Sequence, residues 1–167
     1  MLNMGTNHLE MGEEYQRIVM HEYWHVYQNA HVMDMSNSDS RFVNPRVEKL
    51  KIGYMTKGGA NYMALKLYNS PHDMRGDYVL TEMKTYLTDN NGLERYKTKG
   101  GLLQNITKSD PDSDLYYSMG AWFVAYLESK HSAEDFSVNF YNDLDSLDYE
   151  AAFFKTYGKS STDYLAE

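Results

Sequence analysis

The chain has 167 residues, no cysteine and a formal net charge of −8 at pH 7. This length suits a single domain with its own hydrophobic core, so we expect one domain over residues 1–167. The absence of cysteine excludes disulfides and thiolate metal sites, which leaves His, Asp and Glu as possible metal ligands. The acidic residues are spread along the chain, which argues against nucleic acid as a partner. No apolar run approaches the ~18 residues of a membrane span, so we expect no membrane partner.

The first residues, MLNMGTNHLEMGEEYQ, lack the basic and then apolar order of a signal peptide. We therefore expect a cytoplasmic protein, or a secreted one if an export signal lies upstream of this chain. The sequence predicts no oligomeric state.

The periodicity predicts a mainly α protein with five to seven helices. Residues 1–11 contain Gly and are predicted as an edge strand and turn. Turn-rich loops are expected at 33–45, 70–73, 89–92 and 109–114, and the residues before Tyr54 are ambiguous. Helices are predicted over 12–33, 60–68, 76–87, 115–130, from 132 onward, 149–157 and 160–167. Their core-facing residues are predicted to be Ile18, Val19, Val26, Tyr27, Tyr62, Met63, Leu65, Leu67, Trp122, Phe123, Val124, Tyr126 and Leu127.

The first helix contains the sequence His21-Glu22-Tyr-Trp-His25, which has the form HExxH. At about 100° per residue, His21 and His25 lie about 40° apart on one helix face. Two imidazoles so placed can hold one zinc ion, and Glu22 can take a proton from metal-bound water. Chance would produce about 0.014 such motifs in a chain of this composition. The alternative is an ordinary amphipathic helix whose histidines cap a core.

A catalytic zinc usually has a third protein ligand and one open position. His31 lies six residues after His25, the spacing of HExxHxxGxxH, but Gln28 occupies the glycine position. A helix that continued through this segment would turn His31 about 240° away from His25. A helix that ended at Asn29 would allow His31 to approach, because Asn tolerates the left-handed conformation.

A second set of matches follows in chain order. They are Tyr54-Met-Thr-Lys57-Gly-Gly-Ala-Asn-Tyr62, Tyr117-Ser-Met-Gly-Ala121 and Ala152-Phe-Phe-Lys-Thr-Tyr-Gly-Lys-Ser160. Together with HExxH they resemble the gluzincin metallopeptidases, as found in bacterial collagenase peptidase domains and related aminopeptidases. The resemblance runs from about residue 12 to 165 and implies a helical, zincin-like domain, similar to the C-terminal part of thermolysin. At most a minimal β element would precede it. It also implies one zinc ion on His21 and His25, Glu22 as general base, and Tyr117 donating to the oxyanion.

The chain departs from this pattern at Lys57, where the family has the glutamate that is its third zinc ligand. An ammonium has three donors and no lone pair, so it cannot bind zinc. We expect Lys57 to take the metal's place electrostatically and to pair with Glu22 or another carboxylate. Other carboxylates could replace the missing ligand. If Glu82 is buried, its carboxylate needs a partner, which a metal ion or Lys57 could provide. The candidates are Glu48, Glu82, Asp34 and Asp39.

Two functions follow from the resemblance. The first is a zinc-dependent metallopeptidase that acts on a peptide or protein. The second is a degenerate relative whose metal site is impaired by Lys57 and which acts as a binding module. Either could be the helical half of a larger protein, in which case a partner chain or an upstream β element would complete the cleft. Tyr117 is the predicted cleft tyrosine, with its neighbour Tyr116 as the alternative.

Overall fold

The computed structural model describes residues 7–32, 53–68, 78–100, 103, 106 and 109–167. Within these ranges the chain contains eight α-helices and no strand, which confirms the mainly α prediction. The first half comprises α1 (Asn7–Val32), a π-helical turn (Tyr54–Gly58), α2 (Gly59–Leu67), α3 (Tyr78–Thr88), a 3₁₀ turn (Asp89–Asn91) and α4 (Gly92–Thr98). The second half comprises α5 (Leu115–Lys130), a second π-helical turn (Asp135–Asn139), α6 (Phe140–Leu144), α7 (Tyr149–Tyr157) and α8 (Ser161–Leu165). None of these described helices has the length and apolar character needed to cross a membrane.

The predicted N-terminal strand and turn are wrong for residues 7–11. Residues 7–11 belong to α1, and residues 1–6 lie outside the described ranges. Leu9, Glu10 and Met11 are strong helix formers, so the helix extends five residues further toward the N-terminus than its predicted start at Gly12. The loops predicted at 33–45 and 70–73 also lie outside the described residues.

The predicted inner face of α1 is also wrong. Ile18, Val19 and Val26 are exposed, at 49%, 62% and 63%, and Tyr27 is only half-buried. The buried face of the helix instead carries Trp24 and two polar side chains, those of His25 and Gln28. The prediction failed because apolar residues lie on both sides of this helix, while the polar ones inside have hydrogen-bond partners that periodicity cannot reveal.

The core forms around α5, which has the predicted bounds Leu115–Lys130. Of its predicted core residues, Phe123, Val124 and Leu127 are buried, while Trp122 and Tyr126 are half-buried. In α2, Leu67 is 48% exposed, contrary to prediction. The core residues that surround α5 are large apolar side chains from the other elements, among them Tyr54, Met55, Leu65, Met83, Phe136, Phe140, Tyr141 and Phe153.

The first π-helical turn and α5 approach each other backbone to backbone. A Cβ atom added at Gly58 would lie 2.2 Å from the carbonyl carbon of Gly120, and one added at Gly120 would lie 2.5 Å from the Tyr54 carbonyl oxygen. Only glycine at both positions permits this separation. The contact therefore places Lys57, one residue before Gly58, against the first turn of α5, which carries Tyr117.

Two helix ends carry recognisable capping residues. The Ser132 hydroxyl accepts from the Asp135 N–H at 3.0 Å, and the Asp135 carboxylate accepts from the Ser132 N–H at 3.1 Å. α7 ends at Gly158, whose φ of 77° suits the C′ position. The predicted turn at 89–92 holds only in part, because Asn91, with φ 57°, leads directly into the unpredicted helix α4.

A network of ion pairs fixes the segment that leads into α5. Arg95 of α4 donates to Asp112 at 2.8 Å and to Asp114 at 2.9 Å, and Lys99 donates to Asp110 at 2.8 Å. Hydrogen bonds from Arg95 and Lys99 lower the pKa of Asp112, and the bond from Lys99 lowers the pKa of Asp110. The loop predicted at 109–114 is therefore held to α4 by charge.

Candidate functional site

A cleft of ≈ 490 Å³ opens beside the HExxH motif. Its lining comes from α1, from α2 with the π-helical turn before it, from α3 with the 3₁₀ turn after it, and from Tyr117 of α5. The cleft is lined by Arg17, Ile18, His21, Glu22, Lys57, Asn61, Ala64, Leu65, Glu82, Thr85, Tyr86, Asp89 and Tyr117.

The three motif residues come together as predicted from their spacing. One ligand atom from each of His21, Glu22 and His25 lies within 4.8 Å of the other two. The two imidazole centroids are 4.6 Å apart. His25 is buried, His21 is half-buried and Glu22 is exposed. The cluster therefore brings together two imidazoles and one carboxylate, which are ligand types that zinc accepts.

A buried network holds the His25 ring. The Gln28 amide nitrogen lies 2.9 Å from the Tyr141 hydroxyl oxygen and 3.2 Å from the Thr56 carbonyl oxygen, so this nitrogen donates to both. The Gln28 oxygen therefore accepts, and it lies 2.7 Å from His25 Nδ1. This assignment places the proton on Nδ1 and leaves the lone pair of Nε2 toward the cleft. Burial raises the pKa of the Tyr141 hydroxyl, which stays protonated.

The side-chain nitrogen of Lys57 faces the Nε2 lone pair of His25. Lys57 Nζ is 3.2 Å from His25 Nε2, so the ammonium donates and the imidazole accepts. The same Nζ lies 5.6 Å from the centroid of the Tyr117 ring, within the range of a cation–π contact. The expected ion pair between Lys57 and Glu22 is not found among the described residues. Lys57 instead contacts His25.

The side chains as placed do not fit a resident zinc ion. The lone pair with which His25 would bind zinc accepts a hydrogen bond from Lys57 instead. The ammonium adds a positive charge at the position where the resemblance implies a ligand carboxylate, and it offers no lone pair. Of the three cluster residues, only His21 and Glu22 would then remain as possible ligands for a dication.

The structure distinguishes the two candidate tyrosines. Tyr117 lines the cleft and stacks on His21, with 5.8 Å between ring centroids. Tyr116 points elsewhere, and its hydroxyl donates to the Ile106 carbonyl at 2.5 Å. Of these two neighbouring tyrosines, Tyr117 is thus the one that a ligand in the cleft would meet.

Neither of the two candidate third ligands that the structure describes, His31 and Glu82, belongs to the cluster. α1 continues to Val32, which turns His31 away from the cleft, and His31 lies 3.3 Å from Asp145. Glu82 does line the cleft, but its carboxylate accepts from Arg17 at 2.6 Å. The other candidates, Asp34, Asp39 and Glu48, lie outside the described residues.

Sequence reasoning missed the residues that complete the site. Gln28 could have been found, because it lies three residues after His25 and so on the same helix face. Tyr141 is 113 residues from Gln28, and Glu82 is 65 residues from Arg17, so neither pair had a local pattern.

We expect Gln28→Met to lower the free energy of unfolding by about 2 kcal/mol, because it removes the acceptor of the buried His25 Nδ1–H and one of the donors to the Thr56 carbonyl. Urea denaturation of the two proteins measures this. Tyr141→Phe is the matched control: it removes only one acceptor of the same network and should cost about 1 kcal/mol. Equal stability of Gln28→Met and the wild type would contradict the assigned network.

No protein-family model, no curated protein and no solved structure matches this chain. The resemblance to gluzincins therefore depends on the ordered motifs alone, and the function must be argued from the cleft.

Proposed function

We propose that this protein binds peptides in the cleft without a resident zinc ion, as a non-hydrolytic relative of the metallopeptidases that its motifs resemble. The observation that carries the proposal is the 3.2 Å contact between Lys57 Nζ and His25 Nε2. An ammonium beside His25 supports the proposal, because the resemblance implies a metal ion on that imidazole.

The ammonium has donors to offer a ligand. One of its three N–H groups is directed at His25, and the others can donate to a peptide carbonyl oxygen in the cleft. The Tyr117 hydroxyl and the exposed Glu22 carboxylate add a donor and an acceptor beside it. Such groups can bind the backbone C=O and N–H of a peptide, so this binding does not depend on the side chains of the peptide.

The same groups do not favour hydrolysis. A bound metal lowers the pKa of its water to about 7 and creates a nucleophile at neutral pH. A singly charged ammonium that already donates to an imidazole coordinates no water, so Glu22 has no activated water to deprotonate. This also accounts for the presence of His25 in a zinc-free site, since the imidazole links Lys57 to the Gln28 network.

Peptide retention tests the proposal. We expect a library of randomised octapeptides to be retained by the wild-type protein on size exclusion, and Lys57→Met to retain about tenfold less, because a charge-assisted hydrogen bond is lost while side-chain volume is kept. Mass spectrometry of the protein fraction quantifies the bound peptides. Lys66→Met, in the same helical segment but outside the cleft lining, is the control and should bind as the wild type does. Equal retention by Lys57→Met would contradict the proposed role of Lys57.

A zinc-dependent peptidase is the second candidate function, favoured by the 4.8 Å grouping of His21, Glu22 and His25. It requires Lys57 to leave His25. Peptide hydrolysis that is abolished by a chelator and by Glu22→Gln would establish it in place of the proposal above.

A further inference from the structure

The solvent-exposed side of α1 carries a row of four large apolar residues. They are Tyr15, Val19, Tyr23 and Val26, which are 65%, 62%, 64% and 63% exposed. At about 100° per residue, the four lie within about 80° of one another around the helix and point away from the buried Trp24. These four residues form the outer stripe of α1.

The outer stripe is a surface separate from the cleft. None of its four members is among the described residues that line the cleft. His21 and His25 lie more than about 100° around the helix from Val19. Single exposed apolar side chains are common on proteins, but a contiguous row of them is typical of a surface that binds another protein. The stripe extends over about 16 Å of the helix axis, which is long enough for a helix-to-helix contact.

The order of side-chain sizes along the stripe makes it complementary to a second copy of itself. From the N-terminal end the order is Tyr, Val, Tyr, Val. When two α1 helices pair antiparallel about a twofold axis near residue 21, Tyr15 faces Val26 of the second copy and Val19 faces Tyr23 of the second copy. Each ring then meets a smaller side chain, and such alternation of large and small residues packs well. A parallel pair would set ring against ring and valine against valine.

The charge of the stripe and its area are also compatible with a contact between two copies. In a twofold contact both copies use the same patch, and pairing two uncharged stripes desolvates no charge, although each copy has a net charge of −8. Two thirds of a tyrosine side chain is on the order of 100–160 Å², so the four rings of a pair contribute about 400–650 Å². With the valines and the helix flanks, the total approaches the ~1,200 Å² at the low end of specific interfaces.

We infer that a second copy of this chain covers the outer stripe, through an antiparallel contact between the two α1 helices. The small size of the contact makes the dimer a reversible one, which forms as the protein concentration rises. The inference does not depend on the proposed peptide-binding function, because the two surfaces share no residue.

Sedimentation equilibrium of the full chain tests the contact. Between roughly 1 and 300 µM, we expect the mass of the wild-type protein to rise from that of one chain toward that of two. Because a twofold contact repeats each substitution in both copies, Val19→Glu brings two carboxylates into an apolar interface. It should raise the dissociation constant at least about hundredfold. Phe154→Glu is the matched control, since Phe154 of α7 is 59% exposed and lies outside the stripe.

Cysteine crosslinking tests the direction of the contact, because the chain has no cysteine of its own. A Val19→Cys copy is mixed with an isotope-labelled Tyr23→Cys copy, and the mixture is oxidised by air. The antiparallel contact places these two positions face to face, so we expect the mixed disulfide to exceed either homologous disulfide about tenfold. Mass spectrometry of the non-reduced protein separates the three species.

A wild-type protein that remains a single chain up to ~300 µM would overturn the inference. That result is also the one expected if a different protein, or another part of this chain, covers the stripe. A dimer that Val19→Glu leaves intact would overturn it too, and an excess of homologous disulfides would contradict the antiparallel direction. Should Val19→Glu fail to fold in a thermal melt, the wild-type masses and the cysteine variants still decide.

Discussion

We expect Lys57→Glu to raise the affinity of the protein for zinc at least about hundredfold. The substitution removes the ammonium that donates to His25 Nε2 and supplies a carboxylate at the position from which that side chain reaches His25. Substitutions beyond the ligand shell already change metal affinity 10–100-fold, so the gain of a third ligand and the removal of a repelling charge should exceed that range. Competition with a fluorescent zinc chelator measures the affinity.

Two variants show whether a gain at this position is due to the carboxylate. Lys57→Met removes the charge without adding a ligand and should raise zinc affinity far less than Lys57→Glu. The double variant Lys57→Glu, His25→Ala should lose the gain. If Lys57→Glu binds zinc no better than the wild type, Lys57 does not occupy the metal position, and the account of the site is wrong.

The second large effect concerns Gly58, which we expect to be intolerant of a side chain. Gly58→Ala should lower the free energy of unfolding by about 2–3 kcal/mol. The added Cβ would lie 2.2 Å from a backbone atom of Gly120, and neither the π-helical turn nor α5 can move without disturbing the core around Met55 and Val124. Because the turn carries Lys57, the same variant should also weaken peptide retention.

Gly12→Ala is the matched control for this prediction. Gly12 is also helical, but among the described residues no atom of another element lies within 4 Å of a Cβ added there. The substitution should therefore stabilise the protein slightly, by up to about 1 kcal/mol, through helix propensity. Urea denaturation of both variants gives the comparison, and equal effects at Gly58 and Gly12 would contradict the close approach of the two backbones.

Local patterns predicted much of the fold. The bounds of α5 and α7 followed from apolar runs that end in recognisable breaks, and Gly158, with a positive φ, follows the last residue of α7. Capping residues work over three or four positions, so they are visible in the sequence. The inner face of α1 was mispredicted because burial there depends on distant partners: Gln28 is buried on account of Tyr141, while Val19 and Val26 are exposed.

The sequence likewise predicted the local contacts of the candidate site but not its contacts between distant residues. The HExxH spacing placed His21, Glu22 and His25 together, since one helix turn is sufficient to do so. Lys57 was expected near the metal position, but its partner was expected to be a carboxylate and is His25 Nε2. That contact depends on the packing of the π-helical turn against α5 through Gly58 and Gly120. A local sequence pattern does not specify how two elements far apart in the sequence pack together.

The most direct test of the central claim is the zinc content of the wild-type protein, purified at neutral pH without chelators and measured by native mass spectrometry. The contact between Lys57 and His25 predicts a mass without zinc, or with far less than one equivalent. One equivalent of zinc bound to the wild-type protein, and lost in His25→Ala, would contradict the claim that Lys57 takes the place of the metal.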